Sequence, residues 1–192
     1  MANFFKNIRP CLYALIMILI AAGTASALTI KGVDFTNEMK LAGKKLYLNG
    51  AGVKKSLFKT SYACALYLSH PTSSAEKAIK VDSCKQIVMH FKNSFSKEKI
   101  VELWDSGFFN NSQEKLNTLH KRISTFNAFF SKDLNANDRI TFSYIPGFGT
   151  SIKINNETRG TIPGNDFMQA FWSVWLGNNP VDGSIKDGIL GK

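Results

Sequence analysis

Cysteine and histidine are nearly missing from this chain, with three of each among 192 residues. A disulfide-stapled scaffold needs more cysteine than that. His70, His90 and His120 lie far apart, and no cysteine stands at metal-ligand spacing from any of them, which excludes a zinc site. Acid is scarce too, 14 Asp and Glu against 24 Lys and Arg, for a formal charge of +10. Apolar stretches of membrane length are lacking. Cys11 to Ala22 comes nearest and is too short to span a bilayer comfortably. No Ser/His/Asp set, no pair of carboxylates at useful spacing and no glycine-rich phosphate loop before a helix is visible. Internal repeats and low-complexity tracts are lacking as well.

What is present begins with the setting of that apolar run. Lys6 and Arg9 precede it and Ala25-Ser26-Ala27 closes it, the pattern of an export signal. Cleavage after Ala27 is expected, with an uncleaved membrane anchor as the alternative. Cys11 opens the run instead of following it, unlike a lipoprotein cysteine. Removing residues 1–27 takes away Lys6 and Arg9 and no acid, so the charge falls from +10 to +8 over the remaining 165 residues. One domain over 28–192 is expected, with a core large enough to need no staples. The implied compartment is the periplasm or the exterior. Export argues against nucleic acid as the partner of the basic chain. Its lysines are scattered, as in Lys44-Lys45, Lys54-Lys55 and Lys97-Lys99. They read as a solvated surface or as a source of attraction to an anionic membrane. Cys64 and Cys84 survive cleavage; either they pair, or Cys64 packs as a small apolar residue.

Along the mature chain, Lys45 to Leu48 and Leu57 to Leu68 read as paired strands flanking a turn at Gly50/Gly52. Ser73-x-x-Glu76 reads as a capping box opening a short helix to Ile79, and Gln86 to Phe91 as a strand. Ile100, Leu103 and Trp104 mark a helix from Ser96 that Gly107 is expected to break. A weaker capping box, Asn111-x-x-Glu114, precedes a long helix with Leu116, Leu119, Ile123, Phe126 and Phe130 on one face. Asp138 to Tyr144, Ser151 to Ile154 and Thr158 to Ile162 read as strands, with a hairpin turn at Asn155-Asn156. Asp166 to Leu176 is apolar nearly all round, the mark of a helix buried on most sides or lining a pocket. Gly177 stops it, and a short terminal helix follows Pro180. Strands in runs and helices in runs predict an α+β domain, a large antiparallel β-sheet with helices packed on one face.

Three stretches carry a resemblance: LNGAGVKKSLFKTSYACALYL from Leu48 to Leu68, Pro146-Gly147-Phe148-Gly149-Thr150, and FWSVWLG from Phe171 to Gly177 with Pro180 beyond. Their order and spacing resemble the bacterial chalcone-isomerase-like family across nearly all of residues 29–191. The resemblance implies an open-faced sandwich with a ligand cleft between sheet and helices. That fold holds either an isomerase site or a fatty-acid pocket, so the residues at the site must decide the function.

In the family's isomerases an arginine after the GAGV-like stretch holds an oxyanion, its fork meeting it with two parallel hydrogen bonds. Lys54 stands there, keeping the charge and losing the fork. Tyr62 matches the isomerases' threonine before the Leu-Tyr-Leu run. Phe95 and Glu102 match a tyrosine and an asparagine, and Met168 falls near a final polar pair. Lys54 and Tyr62 are the catalytic candidates if the chain is an isomerase. Apolar or bulky groups replace most of the other polar tools. What remains is a cation at one end of an apolar cleft, with Phe58, Tyr62, Phe91, Phe95, Met168, Phe171 and Trp175 as candidate walls. The expected function is an exported, non-catalytic protein that binds a fatty acid or similar amphipathic anion and uses no cofactor. The alternatives are an intramolecular lyase closing a ring on an unsaturated ketone, and an interaction protein with a packed core and no ligand.

Overall fold

The computed structural model describes residues 27–56 and 59–192. Residues 1–26, which hold nearly all of the segment read as an export signal, and Phe58 among the candidate walls lie outside the described residues. Seven antiparallel strands form one sheet in sequence order: β3 (Glu38–Leu41), β4 (Lys44–Ser56), β5 (Lys59–Leu68), β6 (Lys85–Phe91), β7 (Arg139–Ile145), β8 (Gly149–Ile154) and β9 (Glu157–Ile162). A separate ribbon of β1 (Ala27–Ile30) and β2 (Val33–Thr36) precedes it, turning at Lys31 and Gly32, both with positive φ. The helices are α1 (Ala75–Lys80), α2 (Lys97–Ser112), α3 (Leu116–Ala128), α4 (Asn165–Leu176) and α5 (Gly183–Ile189). This is the predicted α+β architecture.

Alternation along the strands separates two cores. Tyr62, Cys64 and Leu66 of β5, with Ile87, Met89 and Phe91 of β6, face the helices in the larger one. Ala63, Ala65, Tyr67 and Val88 face the other way and are covered by Val33 and Phe35 of the ribbon. The second face therefore has a β-ribbon over it, which the sequence reading lacked. Cys64 and Cys84 are free thiols in these two different clusters, so no disulfide joins them.

The helix-side core is built on rings. Trp104 of α2 has ring neighbours at Phe142 and Trp175 (both 5.6 Å), Phe130 (5.7 Å), Phe171 (5.8 Å) and Phe126 (6.0 Å). α4 lies across it as the all-round apolar pattern requires, with Phe167, Met168, Phe171, Trp172 and Trp175 fully buried.

Several local expectations are corrected. Gly50 and Gly52 sit inside β4, and the chain does not turn there. β4 continues to Ser56, with Asn49 bulged out of register against β5. The cap of α1 is Ser74, whose hydroxyl accepts from Lys77 N; Ser73 is not the cap. α2 passes through Gly107, because the missing side chain lets Val174 of α4 approach: a Cβ there would fall 2.5 Å from a Val174 methyl. Asn111 caps nothing. It lies within α2 and holds the 177–180 turn by accepting from Asn179 N and donating to Asn179 O.

Lys85 opens β6 with 1% of its surface exposed. Its amine donates to the carbonyls of Ala78 (2.7 Å) and Ile79 (3.2 Å) at the end of α1, where the helix dipole favours a cation. Burial nevertheless lowers it from its ordinary 10.5 to about 8, with Asp82 opposing. Between those two pH values the unfolded chain binds the extra proton, so stability gains as pH rises from about 8 towards 10.5. Thermal melts of wild type and Lys85→Met across that window check this. The wild type should gain on the variant as pH rises, and a constant difference would refute the assignment.

Candidate functional site

The β4–β5 pair builds the site. Beyond the Asn49 bulge, Gly50, Gly52 and Lys54 lie opposite Leu66, Cys64 and Tyr62, all three in the helix-side cluster. The period of two therefore puts both glycines and Lys54 on the helix-bearing face. Lys55 falls on the opposite face and is exposed. A second register shift follows Lys54, leaving Ser61 unpaired on β5 while its carbonyl accepts from Lys92 N. Bulges of this kind re-aim the side chains beside them.

The glycines make room for α5. A Cβ on Gly52 would fall 2.9 Å from the backbone of Ile185, and one on Gly50 would run into the carbonyl of Gly188. Asn49 completes the joint, donating to Ile189 O (2.7 Å) and accepting from Thr72 N (2.6 Å). The GAGV stretch is thus a helix-docking strip that carries a cation at its far end.

Lys54 is not a free cation. Its amine lies 2.6 Å from Oδ2 of Asp182, with side-chain exposures of 37% and 14%. Asp182 is also the N-cap of α5: its Oδ1 accepts from Ile185 N (3.0 Å) and from the Ser184 hydroxyl. Burial works against the Asp182 charge, but the hydrogen bonds from Lys54, Ser184 and Ile185 outweigh it and hold the carboxyl below its usual range.

Tyr62, across from Lys54, is 1% exposed. Burial, with Cys64 and Asp182 adding to it, pushes its phenol upward, so it stands as a neutral hydroxyl. Its ring meets Phe91 at 5.6 Å and Phe95 at 6.1 Å, and those two meet each other at 5.1 Å. Phe91 is the β6 partner of Tyr62. Phe95 lies before α2, half-buried, and bridges to Leu134. The structure thus unites Lys54, Tyr62, Phe91 and Phe95. Phe171 and Trp175 are placed apart from this group, within the ring cluster around Trp104, and Met168 is wholly buried in the same core. Glu102 faces solvent from α2.

Asp182 escaped sequence reasoning. Its local signal is that of a helix cap, and nothing local points to Lys54, 128 positions away. A second polar group went unread as well. Tyr144 donates to Asp82 (2.6 Å), Asn165 donates to both, and Gln169 donates to Asn165. It ties the end of β7 to the start of α4.

Elsewhere, a groove of about 440 Å³ opens between α2 and α3 beside Phe109, Leu116, His120 and Ile123. A more polar one of about 490 Å³ lies among α1, α2, α4 and α5, with Lys80, Lys115 and Lys186 on it.

Among known proteins, a family described as chalcone isomerase-like matches residues 27–191. No curated protein matches the chain. A crystal structure of an Arabidopsis thaliana fatty-acid binding protein superposes with a TM-score of 0.67 at 14% identity, covering 86% of this chain and 96% of that one. At that identity the likeness is one of fold.

Proposed function

This chain belongs to the chalcone isomerase-like family, and we propose that it is an exported, non-catalytic member that binds a fatty acid or similar amphipathic anion between its sheet and its helices. One observation carries the reading: Lys54 and Tyr62 stand opposite each other on the helix-bearing face, a cation and a neutral phenol beside the apolar wall of Phe91 and Phe95. A carboxylate head and an acyl tail need that pairing of groups. A relative in fold is named as a fatty-acid binding protein, which supports the same ligand class.

Ring closure on an unsaturated ketone needs a donor aimed at the charge developing on the ketone oxygen. At the matched positions Phe95 has no hydroxyl and Glu102 faces away. Export is part of the proposal, supported by the basic, apolar and small-residue order of residues 1–27. So is contact with an anionic membrane surface, which the +8 charge of the mature chain favours.

Titration with palmitate tests the head-group assignment. A hydrogen bond to a charged group contributes about 1.5–3 kcal/mol, so Lys54→Met should weaken binding roughly ten- to hundredfold. Lys54→Arg should retain it. Equal affinity in the wild type and Lys54→Met would remove Lys54 from the site.

A further inference from the structure

The cation that this reading assigns to a ligand's head group already has a carboxylate. Asp182 Oδ2 sits 2.6 Å from the Lys54 amine, from a side chain that is only 14% exposed. Together the two groups are neutral. An acyl carboxylate entering beside an intact pair would meet no net positive charge to attract it, so it gains the cation only by drawing Lys54 away from Oδ2. The two oxygens of Asp182 have separate partners. Oδ1 holds Ile185 N and the Ser184 hydroxyl at the start of α5, and Oδ2 holds only Lys54 among the described residues. Oδ2 therefore can give up Lys54 while Oδ1 keeps the helix cap. α5 itself is fixed independently, by its close approach to Gly50 and Gly52 and by the Asn49 bond to Ile189 O.

We propose that Asp182 is an internal competitor for Lys54, and that an acyl anion binds by drawing the Lys54 amine away from it. The proposal rests on the head-group role given to Lys54 above and adds a selectivity rule to it. Affinity for an acyl anion is reduced by the strength of the Lys54–Asp182 contact. An amphiphile with an uncharged head need not draw Lys54 away from Asp182 and escapes that reduction. Asp182 acts here as a specificity-determining residue through its contact with Lys54, and it touches no ligand atom itself.

Asp182→Asn separates the two jobs. Asparagine is as good an N-cap as aspartate, so α5 keeps its start, while the charge that holds Lys54 is removed. Asp182→Ser serves as a second capping variant if the first melts early. Palmitate and hexadecanol are titrated into wild type and variant by calorimetry at one ionic strength. Palmitate should bind the variant about tenfold tighter or more, a gain on the scale of one charged contact. Hexadecanol should bind both alike. If wild-type palmitate binding depends on Lys54 yet neither capping variant binds tighter, Asp182 is not a competitor and the proposal falls alone. An equal gain for hexadecanol also overturns it, since the charge of the head group would then be irrelevant. If palmitate binds none of the proteins, the head-group role of Lys54 fails and takes this proposal with it.

Discussion

Trp104→Ala is expected to lower unfolding stability by about 3–5 kcal/mol, the range for deleting a large buried aromatic. The indole is wholly buried, and five rings surround it at centroid distances of 5.6–6.0 Å. Those rings come from α2's neighbours on three sides: Phe126 and Phe130 at α3, Phe142 on β7, and Phe171 and Trp175 on α4. Truncation removes the contact all of them share, and rigid aromatic neighbours collapse poorly into the space left behind. The Trp104 indole N–H is buried with no acceptor among the described residues. Its loss costs nothing in hydrogen bonding, and phenylalanine vacates much less volume than alanine, so Trp104→Phe should cost markedly less than Trp104→Ala. Urea unfolding of the three proteins gives the comparison. Equal losses in Phe and Ala would place the cost in the N–H and not in packing.

Gly52→Val should cost about 3 kcal/mol, the upper end for overpacking, and should act through α5. The new Cβ would lie 2.9 Å from Ile185 Cα and from its carbonyl, which are backbone atoms that cannot rotate away. The helix has to lift from β4, uncovering Ile185 and Ile189, both fully buried, and straining the Lys54–Asp182 contact. Gly183→Ala is the control. A Cβ there meets nothing within 4 Å, and alanine favours helix at the first residue of α5, so stability should hold or rise slightly. Amide exchange along α5 reports the effect directly. If α5 stays as protected in Gly52→Val as in the wild type, the docking-strip account of Gly50 and Gly52 is wrong.

The sequence made some elements plain. β6 to β9 follow from alternation and turn residues, and α4 from an apolar run of helical length bounded by Gly177. The misreadings at Gly50, Gly52 and Gly107 share one physical cause: in the sequence each glycine looks like a chain breaker. Each is instead a place where another helix comes too near for a side chain, which is a tertiary fact that local patterning does not carry. The β1–β2 ribbon was missed because four-residue strands give alternation little room to show. Its turn at Lys31-Gly32 was the available signal.

The grouping of the candidate residues was legible in part. Lys54, Tyr62, Phe91 and Phe95 come together, since neighbouring strands bring same-face residues into line. Phe171 and Trp175 carry the same aromatic signature but lie in the ring cluster around Trp104, and composition alone does not distinguish a wall from a core. Asp182 was out of reach because its partner is set by how α5 returns to β4, and no short-range pattern records that return.

The central claim is that the protein carries an acyl anion with its head at Lys54. Mass spectrometry of small molecules released from protein purified from its native host, with Lys54→Glu alongside, tests it most directly. The account predicts a stoichiometric acyl species in the wild type and its loss in the variant. An empty wild type, with both forms equally stable, would contradict it and would point to a packed domain whose work is done on its surface.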